Sequence, residues 1–535
     1  MTRPRWGIVL FVLALAPRAT WVLYRWAQSG PPPAYPDEQL HWELAWNLVH
    51  HGALVTDDGR FAARMPVYPL FLALFAWIGP AGMLAARLAQ AVLAALTAWC
   101  AYQFATAALD RRAGIVAGAL LALDPFNVFF CNLLLTETLF TFLAIALTAC
   151  AWRVLTPASD DEYCDREDHR RATSATGGGR CGKTSGAEPG RYGKASGAEP
   201  GRYGKASGAE PGRYGKTSGA GGGRYGKTSG AEPGRYGKTS GAEPGRYGRT
   251  SATGGGRCGK TSGAEPGRYD GGRTRSTRVA RWGVAGVALL GPAALMTRPS
   301  AAGWVVLLWV VLWLLDARKK LAARRVQVYL LVLAIPMLAW ALRNRAVLGH
   351  PSWLSANGGV TLYDAQGPQA DGSSNQQFLS ELPGLATLNE IDRDAALRDL
   401  AIEHMRRDPA RVLRLAWTKF LRTWSLFPNV DEYRRGLIAW VSATYTACVL
   451  VLAFVGVWRA RRNRAWLVLV WLPVVYFTLL HCVFVGSVRY RVPLMPFVAL
   501  SAAAAFSRTL DRKKDSSGNS GKCEPANQPR SGERP

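Results

Sequence analysis

Acidic residues are scarce: 37 Asp and Glu stand against 65 Lys and Arg in 535 residues, a formal net charge of +28. An excess of that size first suggests a nucleic-acid partner, but its distribution excludes one. A single repeat tract at 182–269 holds sixteen basic residues against six glutamates, a net +10. Most of the remainder sits in short clusters beside apolar segments, where loops flanking membrane helices carry Lys and Arg. Cysteine lacks any pattern. The nine Cys include no CxxC, and Cys100, Cys131, Cys150, Cys448 and Cys482 fall inside apolar runs. They read as small buried hydrophobes, which excludes a disulfide framework and a cysteine metal site. The adjacent pair His50–His51 diverges on a helix and offers no shared metal. The first apolar stretch lacks a small-residue cleavage exit, so it reads as an anchor and not as a removable signal.

What is present is hidden by the averages. Mean hydropathy is +0.00, a value that suits a soluble enzyme. It mixes uncharged apolar runs such as Trp6–Leu15, Trp304–Leu315 and Val449–Val457 with a stretch, 156–278, almost without apolar side chains beyond Ala and Tyr. A bilayer core needs about 20 apolar residues per helix. The runs Trp6–Trp26, Met83–Leu109, Ala113–Phe130, Leu133–Leu155, Val279–Met296, Ala301–Leu315, Val326–Leu342, Leu437–Val457, Ala465–Val485 and Val492–Phe506 meet or approach this. The expected fold is an all-α integral membrane protein with about ten transmembrane helices. Pro66–Ile78 is apolar but short and proline-led, which suits a re-entrant or interfacial segment.

Orientation follows from the basic clusters. With Arg3 and Arg5 in the cytoplasm, Arg111–Arg112, Arg318–Arg325, Arg459–Arg464 and Arg508–Lys514 share that side. Both termini are then cytoplasmic, and 27–82 and 343–436 are external, provided Pro66–Ile78 does not cross. The expected organisation is an N-terminal transmembrane module (1–155) with an external loop (27–82), an insert (156–278), transmembrane helices (279–345), an external loop (346–436), C-terminal transmembrane helices (437–508) and a disordered tail (509–535).

The insert carries an 11-residue repeat: GKTSGAEPGRY stands at 182–192, eight units of this kind, some of them varied, run without a gap to 269, and TSATGGGRC at 173–181 recurs at 250–258. Each unit has glycine, most have proline, and none has an apolar stripe, so the tract is expected to be disordered. It reads as repeat expansion in a tolerant cytoplasmic loop, with a tail for anionic lipid or nucleic acid as the alternative. In the second external loop, Leu397, Leu400, Ala401 and His404 share helical spacing over 388–407. Pro409 suits the first turn of another helix. There Val412, Leu413, Leu415, Ala416, Trp417, Phe420, Leu421 and Trp424 face one side and Arg411, Arg414, Lys419 and Arg422 the other. That pattern fits an amphipathic helix lying on the membrane, or else a helix packed within a soluble loop domain.

Charged groups at membrane depth are costly and default to functional candidates. Under this topology Asp37 and Glu38 follow the outer end of the first helix, and Arg64 and Tyr68 close the same loop. Glu137 lies near the outer start of a helix, Arg298 in an outer turn, and Arg489, Tyr490 and Arg491 before the last helix. Arginines and carboxylates converging at one face suit an anionic, lipid-linked substrate. Each also has a structural explanation: a solvated loop pair for Asp37–Glu38, a helix-dipole role for Glu137, headgroup snorkelling for Arg298, Arg489 and Arg491. Arg18, inside the first apolar run, is expected to pair with a carboxylate or a phosphate.

The stretch PDEQLHWELAWNLVHHG with GRFAARMPVYPLFLAL resembles the first external loop of GT-C glycosyltransferases. It is similar to the bacterial branch of the dolichyl-phosphate-mannose–protein mannosyltransferase superfamily, which includes the lipid A aminoarabinose transferases. LTETLFTFLAIAL, MTRPSA, SANGGVTLYDA, DPARVLRLAWTKFLRTW and SVRYRVPLMPFVAL fit in the same order. The resemblance covers nearly all of the chain except 156–278. Two features depart from it: Arg64 precedes Pro66 with Met65 between, where many relatives have Lys-Pro-Pro, and the repeats are foreign to the pattern.

The resemblance implies an inverting transfer of a sugar from a polyprenyl-phosphate carrier to a lipid, polysaccharide or protein acceptor on the outer side of the cytoplasmic membrane. It implies Asp37 as base, Glu38 orienting the acceptor or the loop, and Arg64 with one or more of Arg298, Arg489 and Arg491 on the donor phosphate. Tyr68, Glu137 and Tyr490 would support them. No cofactor is expected, although some relatives use a divalent cation. The expected partners are the lipid-linked donor, the acceptor and membrane lipids, without nucleic acid. The alternatives are a transporter or flippase of lipid-linked sugars, for which broken helices meeting at mid-membrane are expected, and a polysaccharide polymerase or ligase.

Overall fold

A computed structural model describes residues 3–30, 32–156, 271–315, 319–382, 384–429 and 433–510. The repeat tract, nearly all of the insert, the tail beyond 510 and Arg318 lie outside the described residues. Of the two units into which the chain divides, the one formed by 1–158 and 275–535 holds nearly all of them.

All regular structure among the described residues is helical. In chain order the helices are α1 (Arg3–Ser29), α2 (Pro36–His51), α3 (Val67–Ala76), α4 (Pro80–Ala108), α5 (Arg111–Ala122), α6 (Pro125–Phe130) and α7 (Thr136–Leu155). Then come α8 (Gly271–Thr297), α9 (Ala302–Leu315), α10 (Lys319–Leu348), α11 (Gly358–Gln366), α12 (Phe378–Glu381), α13 (Glu390–Arg407) and α14 (Pro409–Thr423). The chain closes with α15 (Leu437–Ala460), α16 (Arg464–Val483), α17 (Val488–Arg491) and α18 (Met495–Ala504). Six of these, α1, α4, α7, α10, α15 and α16, contain a stretch long and apolar enough to cross a membrane; shorter apolar helices cover Val67–Ala76, Trp282–Thr297 and Pro299–Leu315.

Two of the ten expected spans are broken. The run 113–130 splits because Asp124 caps a new helix: its Oδ1 accepts from the amides of Phe126 (2.9 Å) and Asn127 (3.2 Å), and Pro125 takes the first helical position. The run 492–506 contains only ten α-helical residues, preceded by a 3₁₀ turn at Val492–Leu494. Pro493 and Pro496 suit helix starts and not helix interiors. α18 is buried along its whole length, packed on α15, α5, α16 and α4.

The core is alanine-rich: Ala86, Ala95, Ala98, Ala101, Ala105, Ala113 and Ala117 are fully buried where α4 meets α5 and its neighbours. Small side chains let helix backbones approach, which replaces the missing hydrophobic drive in lipid with close packing. Gly456 shows the limit, since a Cβ there would run into the Ser501 carbonyl of α18.

Arg18 resolves differently from its expected carboxylate or phosphate partner. It is 1% exposed and donates to the carbonyls of Ala14 (2.8 Å), Ala122 (2.9 Å) and Leu121 (2.7 Å). Tyr445 donates to the Leu120 carbonyl at 2.6 Å. The C-terminus of α5 therefore ends inside the bundle with its orphan carbonyls met by a cation and a phenol, the charge that a helix C-terminus favours. Arg18→Leu should leave two buried carbonyls without these donors and lower stability by about 1–3 kcal/mol. Unfolding of the detergent-solubilised protein measures it, and an unchanged midpoint would remove this role.

The helices α11, α12 and α13 form a small body of their own. Val360, Tyr363, Phe378, Leu385, Leu397 and Ala401 make its core between α11 and α13. Of the expected stripe on α13, Leu397 and Ala401 are buried, whereas Leu400 is exposed. On α14 two of the basic side chains, Lys419 and Arg411, are turned inward, while Arg414 is exposed. Lys419 is fully buried and donates to the Val483 carbonyl at 2.8 Å; Arg411 binds the carbonyls of Gln366 and Gly367. Leu413, Trp417 and Leu421, one turn apart, are exposed together. Burial pulls the Lys419 ammonium down to about 8.

Candidate active site

Pro36 opens α2 and Asp37 and Glu38 occupy its first turn, where acids match the helix dipole. Successive residues on a helix diverge by about 100°, and the two carboxylates part accordingly. Asp37 faces a cavity of about 420 Å³; Glu38 does not line it. Arg64 from the loop before α3, Arg298 from the turn after α8, and Arg489 with Tyr490 from α17 line the same cavity.

The charges form one chain. Asp37 Oδ1 meets Arg64 Nη2 at 2.9 Å and its Oδ2 meets Arg489 Nη1 at 2.6 Å. Arg489 Nε reaches Glu137 Oε1 at 2.5 Å, and Arg298 Nη1 lies 3.7 Å from the same oxygen. Arg298 and Arg489 also stand over the Tyr490 ring, at 5.6 and 5.9 Å. The Tyr490 ring is also stacked on His481 at 4.0 Å. Three guanidiniums against two carboxylates leave one positive charge in excess beside open space.

Burial by itself would raise the Asp37 carboxyl, but Arg489 and then Arg64 outweigh it and hold it far below the usual carboxylate range. The Arg489 guanidinium is lowered by burial and raised more by Glu137 and Asp37, so its charge is locked. His41, one turn after Asp37, is pushed down to about 3 by burial and then by Arg64, and it faces the cavity as a neutral imidazole.

Glu38 is fully buried elsewhere. It accepts from the amides of Leu134 (2.7 Å) and Ala34 (3.2 Å) and lies 3.8 Å from Arg87, tying the start of α2 to the segment before α7. Burial raises its carboxyl. The role of orienting an acceptor does not suit this position, whereas that of ordering the loop does. Tyr68 is buried with its hydroxyl donating to Gln90 Oε1 at 2.9 Å and its ring edge-on to His41 at 4.9 Å. It supports the cavity floor without lining it. Glu137 is fully buried and acts on the cavity through the arginines it holds.

Arg491 does not join the site. It is 1% exposed, donates to the Ser425 carbonyl at 2.5 Å and stands 4.8 Å from the Phe126 ring, with burial pulling it down to about 10. Two residues along a helical turn from Arg489, it points the other way. The cavity also contains residues that sequence reasoning passed over: His41, Thr136, Thr297, Ser355, Asn357, Tyr476 and His481. His41 was within reach, one helical turn from Asp37; His481 lies inside an apolar run with no local signal. Among the described residues no group of three or more His, Cys, Asp or Glu is placed to hold a metal ion. Asp37, the carboxylate that lines the cavity, is turned to two guanidiniums.

A multi-helix protein with spans fit to cross a membrane, and an arginine-rich cavity at their ends, is the class these features define. Residues 63–161 match the family model described as dolichyl-phosphate-mannose-protein mannosyltransferase. The matched segment contains Arg64, Tyr68 and Glu137. The apo crystal structure of ArnT from Cupriavidus metallidurans aligns over 94% of this chain and 78% of that one, at 13% identity and a TM-score of 0.35. No curated protein matches the sequence.

Proposed function

We propose that the chain is a membrane glycosyltransferase of the GT-C kind, moving a sugar from a polyprenyl-phosphate carrier to an acceptor hydroxyl or phosphate on the outer side of the cytoplasmic membrane. The observation that carries it is the chain Arg64–Asp37–Arg489–Glu137–Arg298 around one cavity, together with the family match over 63–161.

The arrangement suggests how the two substrates are coupled. In the free protein Asp37 is bound by both arginines that a donor phosphate would use. A phosphodiester entering between Arg64 and Arg489 takes over their donors in a fork geometry suited to guanidinium. Asp37 then loses cationic stabilisation and becomes a stronger base. The acceptor proton passes to Asp37 as the acceptor oxygen bonds to the anomeric carbon. The bond from that carbon to the phosphate oxygen breaks, its electron pair stays on the phosphate, and the arginines hold the charge that develops. Attack opposite the leaving phosphate inverts the anomeric centre.

Transfer of label from a polyprenyl-phosphate sugar in detergent extracts tests the reading, with Arg64→Ala as the diagnostic variant. Losing one charge-assisted contact should weaken donor binding roughly 10- to 100-fold and reduce turnover with it. Donor binding unchanged in this variant would sink the phosphate role. Orientation has its own test. A cysteine at Gln376 should react with an impermeant reagent added outside intact cells, above the background of the native cysteines, while one at Ser218 should not. The reverse pattern would put the cavity on the other face.

A further inference from the structure

Behind Asp37, on the side to which Glu38 turns, lies a second cavity of about 180 Å³. It shares no lining residue with the first. Arg25 and Arg87 line it together with Glu38 and Asn132. Its charges do not balance: two guanidiniums face one carboxylate, and that carboxylate already accepts from two backbone amides.

Arg87 is 5% exposed, yet among the described residues its guanidinium makes no hydrogen bond. Glu38 Oε2 at 3.8 Å is beyond hydrogen-bond reach, the Nε is buried without a partner, and the remaining contact is the Trp26 ring at 5.9 Å. Buried arginines are ordinarily paired and hydrogen-bonded, because leaving those donors unmet is costly. Asn132, 7% exposed, carries a buried Oδ1 with no partner in the same wall. A buried cation that has a long ion pair with Glu38 but no hydrogen bond, and an acceptor without a donor, thus border one small space.

We propose that this cavity binds a phosphate group with a neighbouring hydroxyl, the phosphate on Arg87 and Arg25 and the hydroxyl donating to Asn132 Oδ1. The volume slightly exceeds the roughly 150 Å³ known to admit a benzene ring, which suits a phosphoglycerol unit. Ser29 and Gly30 at the end of the α1 span are also in the wall, a depth where lipid headgroups lie. The same chemistry is offered by a phosphatidylglycerol headgroup and by a free glycerol phosphate. The proposal uses none of Asp37, Arg64 and Arg489, so it stands apart from the transfer reading.

The test uses the full chain in two arms. In detergent, calorimetric binding of sn-glycerol 3-phosphate and of inorganic phosphate is measured for wild type, Arg87→Gln, Arg25→Gln, Asn132→Leu and Arg64→Gln. In nanodiscs, thermal unfolding is compared between phosphatidylglycerol and phosphatidylcholine. Glycerol phosphate should bind roughly 10- to 100-fold more weakly to Arg87→Gln, several-fold more weakly to Arg25→Gln, and unchanged to Arg64→Gln. Asn132→Leu should bring glycerol phosphate down to the affinity of inorganic phosphate. Phosphatidylglycerol should raise the unfolding temperature of wild type and Arg64→Gln and not of Arg87→Gln or Arg25→Gln. Response in the lipid arm alone assigns a headgroup, and response in the soluble arm alone a free phosphate ester; either supports the site. Equal behaviour of wild type and both cavity variants, binding lost only in Arg64→Gln, or no anion dependence in either arm overturns it. Should Arg87→Gln fail to fold, Arg25→Gln, whose side chain is partly exposed, still decides.

Discussion

Asp37→Asn is expected to lower transfer roughly 10²–10⁴-fold, the range that a positioned base contributes, while donor binding holds or tightens. The amide keeps the carboxylate's size but cannot take the acceptor's proton. It also releases Arg64 and Arg489, which in wild type are ion-paired to Asp37 at 2.9 and 2.6 Å and must exchange that partner for the donor phosphate. A base that also competes with the leaving group for its cations has this signature: single-turnover transfer collapses as the donor dissociation constant stays level or falls. Near-normal transfer in Asp37→Asn would place the base elsewhere. Glu38 could not inherit the role without leaving Leu134 and Ala34. A donor affinity lowered as far as in Arg64→Ala would mean that Asp37 orders the arginines and does not act on the acceptor.

Much of this arrangement is legible in the sequence, because charges in apolar sequence are few and costly. Asp37, Arg64, Arg298, Arg489 and Tyr490, from segments far apart in sequence, line one cavity. What pattern reading missed is angular. Asp37 and Glu38, and Arg489 and Arg491, stand as pairs in the sequence, but helical geometry sends the members of each pair in different directions. Polar residues inside apolar runs mark breaks in the same local way. The Asp124-Pro125 dipeptide in 113–130 is a helix start, and Pro493 and Pro496 mark the entry of the last helix. The inward turn of Lys419 was not legible. Its partner is the carbonyl of Val483 at the end of a different helix, and no local spacing announces such a contact.

Arg489→Gln should be the most damaging single change, since this guanidinium joins both carboxylates. Glu137 is fully buried, its Oε2 has no partner, and its next nearest cation, Arg298, stands 3.7 Å away. Removing one member of a buried pair leaves an uncompensated charge and costs about 3–5 kcal/mol. Donor affinity should fall as well, roughly 10- to 100-fold. The pH dependence carries a sign. The depressed Asp37 carboxyl contributes stability that is fully present above the unfolded value, near 3.9, and is lost as pH falls through the folded one. In the variant Asp37 keeps only Arg64, its carboxyl rises toward the ordinary range, and this contribution shrinks. Asp37's share of the gap in unfolding temperature between wild type and variant should therefore stay constant above about pH 5 and narrow below about 4. Narrowing already above about pH 5 would come neither from Asp37 nor from His41, held down to about 3, but from relief of the uncompensated buried charge. Arg491→Ala is the matched control two residues on. It removes the hydrogen bond to Ser425 and the contact with Phe126, so stability should drop while donor affinity and the shape of the pH profile stay as in wild type. Equal loss of donor binding in both variants would show that the helical turn itself, and not the Arg489 side chain, holds the donor.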